Sequence, residues 1–154
     1  MNHQEFEKLY SELCHFDRHL GMTLKIFEPG RVSYRLRVEQ RHLSSPGACH
    51  GGVIAAMMDA VLGLTVLSWA VPRERLCATV ELKTNFLTPA MPGDTLEGGA
   101  EIDFTGTKLV VASGWIKNAD SGGMVAKGMG TFSLYPLAKK AHLAEWMTKA
   151  GKNA

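Results

Sequence analysis

Cysteine is scarce in this chain: three in 154 residues, Cys14, Cys49 and Cys77, odd in number and far apart. That excludes a disulfide framework and offers none of the close pairs that hold a metal, so they read as reduced thiols in a cytoplasmic protein. A strong charge of either sign is also lacking. The net charge is +2 and no basic cluster with interleaved aromatics occurs, which argues against nucleic acid as a partner. Met1 to Tyr10 are polar and acidic rather than basic and then apolar, so no secretory leader is read there. No Gly-rich phosphate loop, no G-x-S-x-G elbow, no internal repeat and no interdomain linker is evident. What is present is ordinary for a soluble globular protein, with 45% hydrophobic and 21% charged residues. The expectation is one domain over 1–154, with a core of about 20–135, a short N-terminal helix and a basic C-terminal tail.

The most informative stretch runs from Cys49-His50-Gly51-Gly52 through Asp59 to Val71. Between Val53 and Val71 the only ionisable side chain is Asp59. A lone carboxylate in an apolar run is costly to bury charged, so it has a job or a partner. The run opens on a glycine pair, where a helix start offers unpaired N–H groups and the positive end of the dipole, and it stops at Pro72. The reading is a helix with an anion- or oxyanion-binding start and a buried acid two turns in. A membrane span competes, because about 20 apolar residues suffice, but a mid-helix Asp is expensive in lipid and the strand-patterned remainder needs something to pack on. A purely structural role for Asp59 is the other alternative. Spacing adds a constraint. Eight residues separate Gly51 from Asp59, which is about 12 Å along a helix axis and roughly 80° around it. One reacting carbonyl could hardly touch both on the same helix, so a site using both needs a second copy of the chain.

Elsewhere the periodicities are plain. Phe6, Leu9, Tyr10 and Leu13 fall at helical spacing, predicting one short amphipathic helix that ends before Gly21. His15 and His19 form an i,i+4 pair within it, but no third ligand lies at a recognisable spacing, so no metal is expected. Met22 to Phe27 is strand-like, Glu28-Pro29-Gly30 is a turn, and Val32, Tyr34, Leu36 and Val38 alternate strictly with polar residues. After the helix, Cys77 to Leu87 reads as a strand with Val80, Leu82 and Phe86 on one face and Thr79, Glu81 and Lys83 on the other. Leu96 to Thr105 and Lys108 to Lys117 are joined through Gly106 as a hairpin. Met124 to Leu134 follows, with Gly128 and Gly130 marking close backbone approach. The tail, with Lys139, Lys140, Lys149 and Lys152, reads as a solvated terminal helix or a cover over a site. One long helix wrapped by an antiparallel sheet of five or six strands is an α+β arrangement.

These residues carry a resemblance. His50-Gly51-Gly52 followed by Asp59, the strand Thr79 to Leu87 leading into Thr88-Pro89, the Gly93-Asp94 turn and the Gly106 hairpin resemble the hotdog-fold thioesterases, specifically the PaaI-like acyl-coenzyme A thioesterases and thioesterase superfamily member 2. The likeness runs from about Leu20 to Leu134. It implies hydrolysis of acyl-CoA to free acid and coenzyme A without a cofactor, in a homo-oligomer: a dimer with shared sites, or a homotetramer. It further implies that the Gly51 N–H polarises the thioester carbonyl, that Gly52 shapes the turn, and that Asp59 of the partner subunit acts as general base or nucleophile. Thr79 matches a hydroxyl position that places the water or the carboxylate. His50 orients the loop or the thioester, or makes an ordinary structural hydrogen bond.

Ser44 stands where some members of that family carry Asn or Gln for a substrate contact. Lys108, Arg73 and Arg75 are candidates for the coenzyme A phosphates or plain solvated charges. Met57, Met58, Leu62 and Phe86 would suit a medium-chain or aromatic acyl group, or belong to the core. A hydratase or dehydratase of acyl thioesters and a non-catalytic acyl-CoA-binding module remain the alternative functions.

Overall fold

The computed structural model describes residues 2–139. Two short helices come first, α1 (His3–Leu13) and α2 (His15–Leu20), then strands β1 (Thr23–Glu28) and β2 (Arg31–Arg37). The long helix α3 (Gly51–Ala70) follows, then β3 (Arg75–Phe86), β4 (Thr95–Thr105), β5 (Leu109–Asn118) and β6 (Met124–Pro136). The six strands form one antiparallel sheet in the order β1-β2-β4-β5-β6-β3, so β1 and β3 are its edges. The sheet wraps α3, which is the hotdog arrangement expected. The basic tail beyond Lys139 lies outside the described residues.

Helix α3 explains the apolar run. It has the length and apolarity to cross a membrane, but Ile54, Met57, Met58, Val61, Leu62, Leu64 and Val66 are buried against the sheet. A helix apolar nearly all round is what a core centre requires. Its two buried hydroxyls are satisfied locally. Thr65 Oγ1 donates to the Val61 carbonyl at 2.7 Å, and Ser68 Oγ donates to the Thr65 carbonyl while accepting the Gly30 N–H at 3.0 Å. That last bond ties the predicted turn at Glu28-Pro29-Gly30 to the helix. Gly128 shows the anticipated close approach: a Cβ there would stand 2.7 Å from Met58 Cγ and 2.8 Å from the Lys83 carbonyl.

Two expectations need correction. The N-terminal helix is not continuous: it breaks at Cys14, whose N–H closes α1 on the Tyr10 carbonyl. The new helix direction buries Asp17, which accepts from the Tyr34 hydroxyl at 2.8 Å. In β3 the pairing with β6 shifts between Thr79 and Glu81, leaving Val80 as an extra residue. A bulge reverses which side chains face inward, so Thr79 faces α3 together with Leu82, while Val80 is 62% exposed. Strict alternation had put Val80 beside Leu82 and Thr79 opposite.

Candidate active site

The helix start is built by the loop before it. A 3₁₀ turn at Gln40–His42 is followed by a bridge between Leu43 and Cys49. The Cys49 N–H donates to the Ala90 carbonyl at 2.8 Å and the His50 N–H to the His42 carbonyl at 2.7 Å. His50 is the N-cap of α3, and its Nδ1 accepts the Gly52 N–H at 2.8 Å. The neutral ring therefore carries its proton on Nε2. A Cβ on residue 52 would come within 2.9 Å of that Nδ1, so the capped geometry needs glycine there. The Gly51 N–H, first in the helix, has no intrahelical partner, and among the described residues no acceptor is bonded to it. The Phe86 ring stands beside Gly51, within ordinary contact distance of where a Cβ would lie.

Two turns along α3, Asp59 is half-buried rather than fully buried as the sequence suggested. It lies on the stripe that the sheet leaves uncovered. The Thr79 hydroxyl donates to Asp59 Oδ1 at 2.9 Å. Both residues line a cavity of about 280 Å³, together with Ala56, Gly63 and Cys77 on one side and Tyr10, Phe16 and Asp17 of the N-terminal helices on the other. Burial, and then the Asp59 charge, push the Cys77 thiol up to about 12, which keeps it protonated and unreactive. The chemistry on offer is a held carboxylate open to a cavity and, at the start of the same helix, a backbone donor without an acceptor.

The remaining sequence-derived candidates divide. Ser44 Oγ donates to the Ala48 carbonyl at 3.0 Å, a bond internal to the loop. Met58 and Leu62 are fully buried beneath the sheet, so of the two readings they take the core one and do not line the acyl site. Phe86 is 56% exposed beside the helix start. Arg73 is remote from Gly51, more than about 30 Å along the helix direction; its Nη1 donates to the Trp69 carbonyl at 2.7 Å and its guanidinium stacks on the Trp69 ring. Lys108 sits near Arg75: Arg75 Nη2 donates to the Thr107 carbonyl at 3.1 Å, and the Lys108 carbonyl accepts from Leu134, the register partner of Cys77. His15 and His19 gain no third ligand; among the described residues no cluster of three His, Cys, Asp or Glu side chains could hold a metal.

Sequence reasoning missed Asp17, Tyr34 and His42. Burial, with Tyr10 and Asp17 nearby, drives the Tyr34 phenol far above its ordinary range. The available signal was Tyr34 itself: a tyrosine on the inward face of a strand needs a partner for its hydroxyl.

One long helix in a six-stranded antiparallel wrap, with a free amide at its start and a hydroxyl-held carboxylate two turns on, defines a hotdog-fold enzyme site. The thioesterase superfamily model matches residues 46–125, from the loop before His50 to the start of β6. The chain belongs to the thioesterase superfamily. It is 27% identical to human acyl-coenzyme A thioesterase 13 over 129 residues, covering 83% of this chain and 91% of that protein. Among solved structures it matches the Escherichia coli PaaI protein from the phenylacetic acid degradation operon with a TM-score of 0.76 at 22% identity, covering 84% and 90% of the two chains. It also matches mouse thioesterase superfamily member 2 with a TM-score of 0.74 at 24% identity, covering 84% and 95%.

Proposed function

We propose that this protein hydrolyses acyl-coenzyme A thioesters, with a medium-chain or aromatic acyl group, to the free acid and coenzyme A. The observation that carries this reading is Asp59, held by Thr79 on the wall of a cavity, on the same helix whose first amide, Gly51, has no acceptor among the described residues. The Gly51 N–H would donate to the thioester oxygen as it gains charge, the kind of fixed donor that stabilises an oxyanion. Asp59 would take a proton from water as its oxygen bonds to the carbonyl carbon. Collapse of the tetrahedral intermediate breaks the C–S bond, and the leaving thiolate takes the proton that Asp59 removed from water, which restores the carboxylate. Attack by the Asp59 carboxylate itself, through an anhydride that water then cleaves, would use the same residues.

The two groups are about 12 Å apart along one helix, so we infer a homo-oligomer in which Gly51 of one subunit faces Asp59 of the next. The free edge of the sheet supports this. Among the described residues β3 is twelve residues long, pairs on one side only, and leaves Val80 exposed at its bulge. A long edge strand presents a row of unpaired backbone N–H and C=O groups to a partner, and Thr79 lies on it. Lys108 and Arg75, at the end of β3 nearest Cys77, are the basic residues this reading assigns to the coenzyme A phosphates. Three free thiols suit a cytoplasmic setting.

The test is thiol release from phenylacetyl-, benzoyl-, short-, medium- and long-chain acyl-CoA, with the Asp59→Asn variant alongside. Turnover that falls by about 10²–10⁴-fold in the variant, with fold and oligomer intact, supports the reading. Saturable binding of acyl-CoA with no turnover in either protein would make this a binding module, and hydration of an enoyl-CoA would make it a hydratase.

A further inference from the structure

We propose that His42 is a positioning residue, which locks the Gly51 amide in place and joins it to the helix that walls the cavity beside Asp59. The proposal rests on the reading of the Gly51 N–H as the oxyanion donor. His42 is 1% exposed, and both of its ring nitrogens are used. Nδ1 accepts the Glu39 N–H at 3.0 Å, so in the neutral ring Nε2 holds the proton and donates it to the Leu20 carbonyl at 2.9 Å. The residue's own carbonyl accepts the His50 N–H at 2.7 Å. The side chain thus ties the beginning of the 3₁₀ turn to the end of α2, and so fixes the backbone whose carbonyl holds the cap of α3. Arg41 adds a second tie to the same end of α2, with Nη1 donating to the His19 carbonyl at 2.7 Å.

The geometry matters because of the peptide it controls. The Gly51 N–H belongs to the His50–Gly51 peptide, whose orientation follows the backbone of His50 (φ −62°, ψ 134°). His50 is held at two points: its N–H by the His42 carbonyl and its ring by the Gly52 N–H. Without the ring's two bonds the segment that presents the His42 carbonyl can shift, which loosens the first hold and leaves the peptide to rotate about the second. Through Leu20, the same bonds reach α2, which supplies Phe16 and Asp17 to the cavity wall. The wall and the donor are therefore parts of one hydrogen-bonded frame. A merely structural His42 would affect stability alone; a positioning His42 affects the chemical step, because a misplacement of about 1 Å in a catalytic donor costs up to about 10²-fold.

The experiment uses the full-length protein with His42→Leu, His42→Asn and His42→Gln. Asn keeps an acceptor for the Glu39 N–H, and Gln keeps a donor for the Leu20 carbonyl. The expected result is kcat lowered about 10- to 100-fold in His42→Leu with KM changed less than about twofold, and partial recovery in the Asn and Gln variants. The amide resonance of Gly51, followed by NMR, reads the donor's position independently of turnover and shifts in His42→Leu. A folded His42→Leu protein with wild-type kcat and an unmoved Gly51 resonance overturns the proposal. So do Asn and Gln variants no better than Leu at equal folded fraction. If His42→Leu does not fold, wild-type kcat in both other variants overturns it and a graded loss supports it. A shifted Gly51 resonance in a protein whose wild type releases no thiol from any acyl-CoA would sustain the positioning role and sink the thioesterase reading instead.

Discussion

Thr79 donates its hydroxyl proton to Asp59 Oδ1 at 2.9 Å, from an edge strand to the central helix. The bond exists because of the bulge at Val80, which lets Thr79 and Leu82 face α3 together. It occupies one carboxylate oxygen and leaves the other for water. A hydrogen bond to a charged group contributes about 1.5–3 kcal/mol, so Thr79→Val, which keeps the shape and β propensity, is expected to lower kcat about 10- to 100-fold. Thr79→Ser should recover most of it. Equal rates for Val and wild type in a thiol-release assay would show that Asp59 needs no such holding.

Cys77 reports on the charge of Asp59. Its thiol is pushed up to about 12, by burial first and by the Asp59 carboxylate second. At pH 8 only about one such thiol in 10⁴ is thiolate, so alkylation of Cys77 should be slower by about 10³ than at an ordinary cysteine. Asp59→Asn removes the repelling charge and should speed Cys77 alkylation, though not to the rate of an exposed thiol, as read by peptide mass spectrometry. The sign for stability follows from the same shift. The folded value lies above the ordinary 9.0, so this thiol's contribution is fully present below about pH 9 and is lost as pH rises towards 12.

The fold was legible where one physical demand acted alone. Strict alternation from Val32 to Val38 is satisfied by one buried face, and the unbroken apolar run of α3 by a sheet on most sides. Asp59, Gly51 and Thr79 were legible as residue types. Their contacts were not, because the bulge at Val80 leaves no mark in a pattern of period two. Met58 and Leu62 could have been acyl lining or core until the sheet was seen to close over them. Helix periodicity ran on through Cys14, where the chain turns so that Asp17 can meet Tyr34. That is a tertiary contact, invisible to any local window. His42, in a loop without periodicity, offered no signal.

The Gly51 donor can be deleted without moving the chain. Proline suits the first helical position, and it restricts the preceding residue to ψ of about +120° to +160°, where His50 already lies at 134°. Gly51→Pro therefore removes the N–H while the helix start survives, and kcat should drop by about 10²–10³-fold. Gly51→Ala is the control: it keeps the N–H, its Cβ meets the Phe86 ring at 3.6 Å, and its kcat should stay near wild type. Unchanged turnover in the proline variant, with circular dichroism and oligomer size preserved, would assign the oxyanion to another donor.

The same variant settles whether sites are shared. Suppose each site takes Gly51 from one subunit and Asp59 from its neighbour. A hybrid of one Gly51→Pro and one Asp59→Asn chain then holds one site with both defects and one with neither. Random reassembly of two individually inactive variants puts about half the dimers in this hybrid form, each with one working site, so activity should return to about a quarter of wild type. If both groups came from one chain, every site in every hybrid would carry a defect and the mixture would stay inactive. The measurement is thiol release after co-refolding or slow subunit exchange of the two variants at equal concentration, with each variant treated alone as the baseline. Recovery would place Gly51 and Asp59 on opposite sides of a subunit boundary, which is what about 12 Å along one helix demands of two groups acting on one carbonyl.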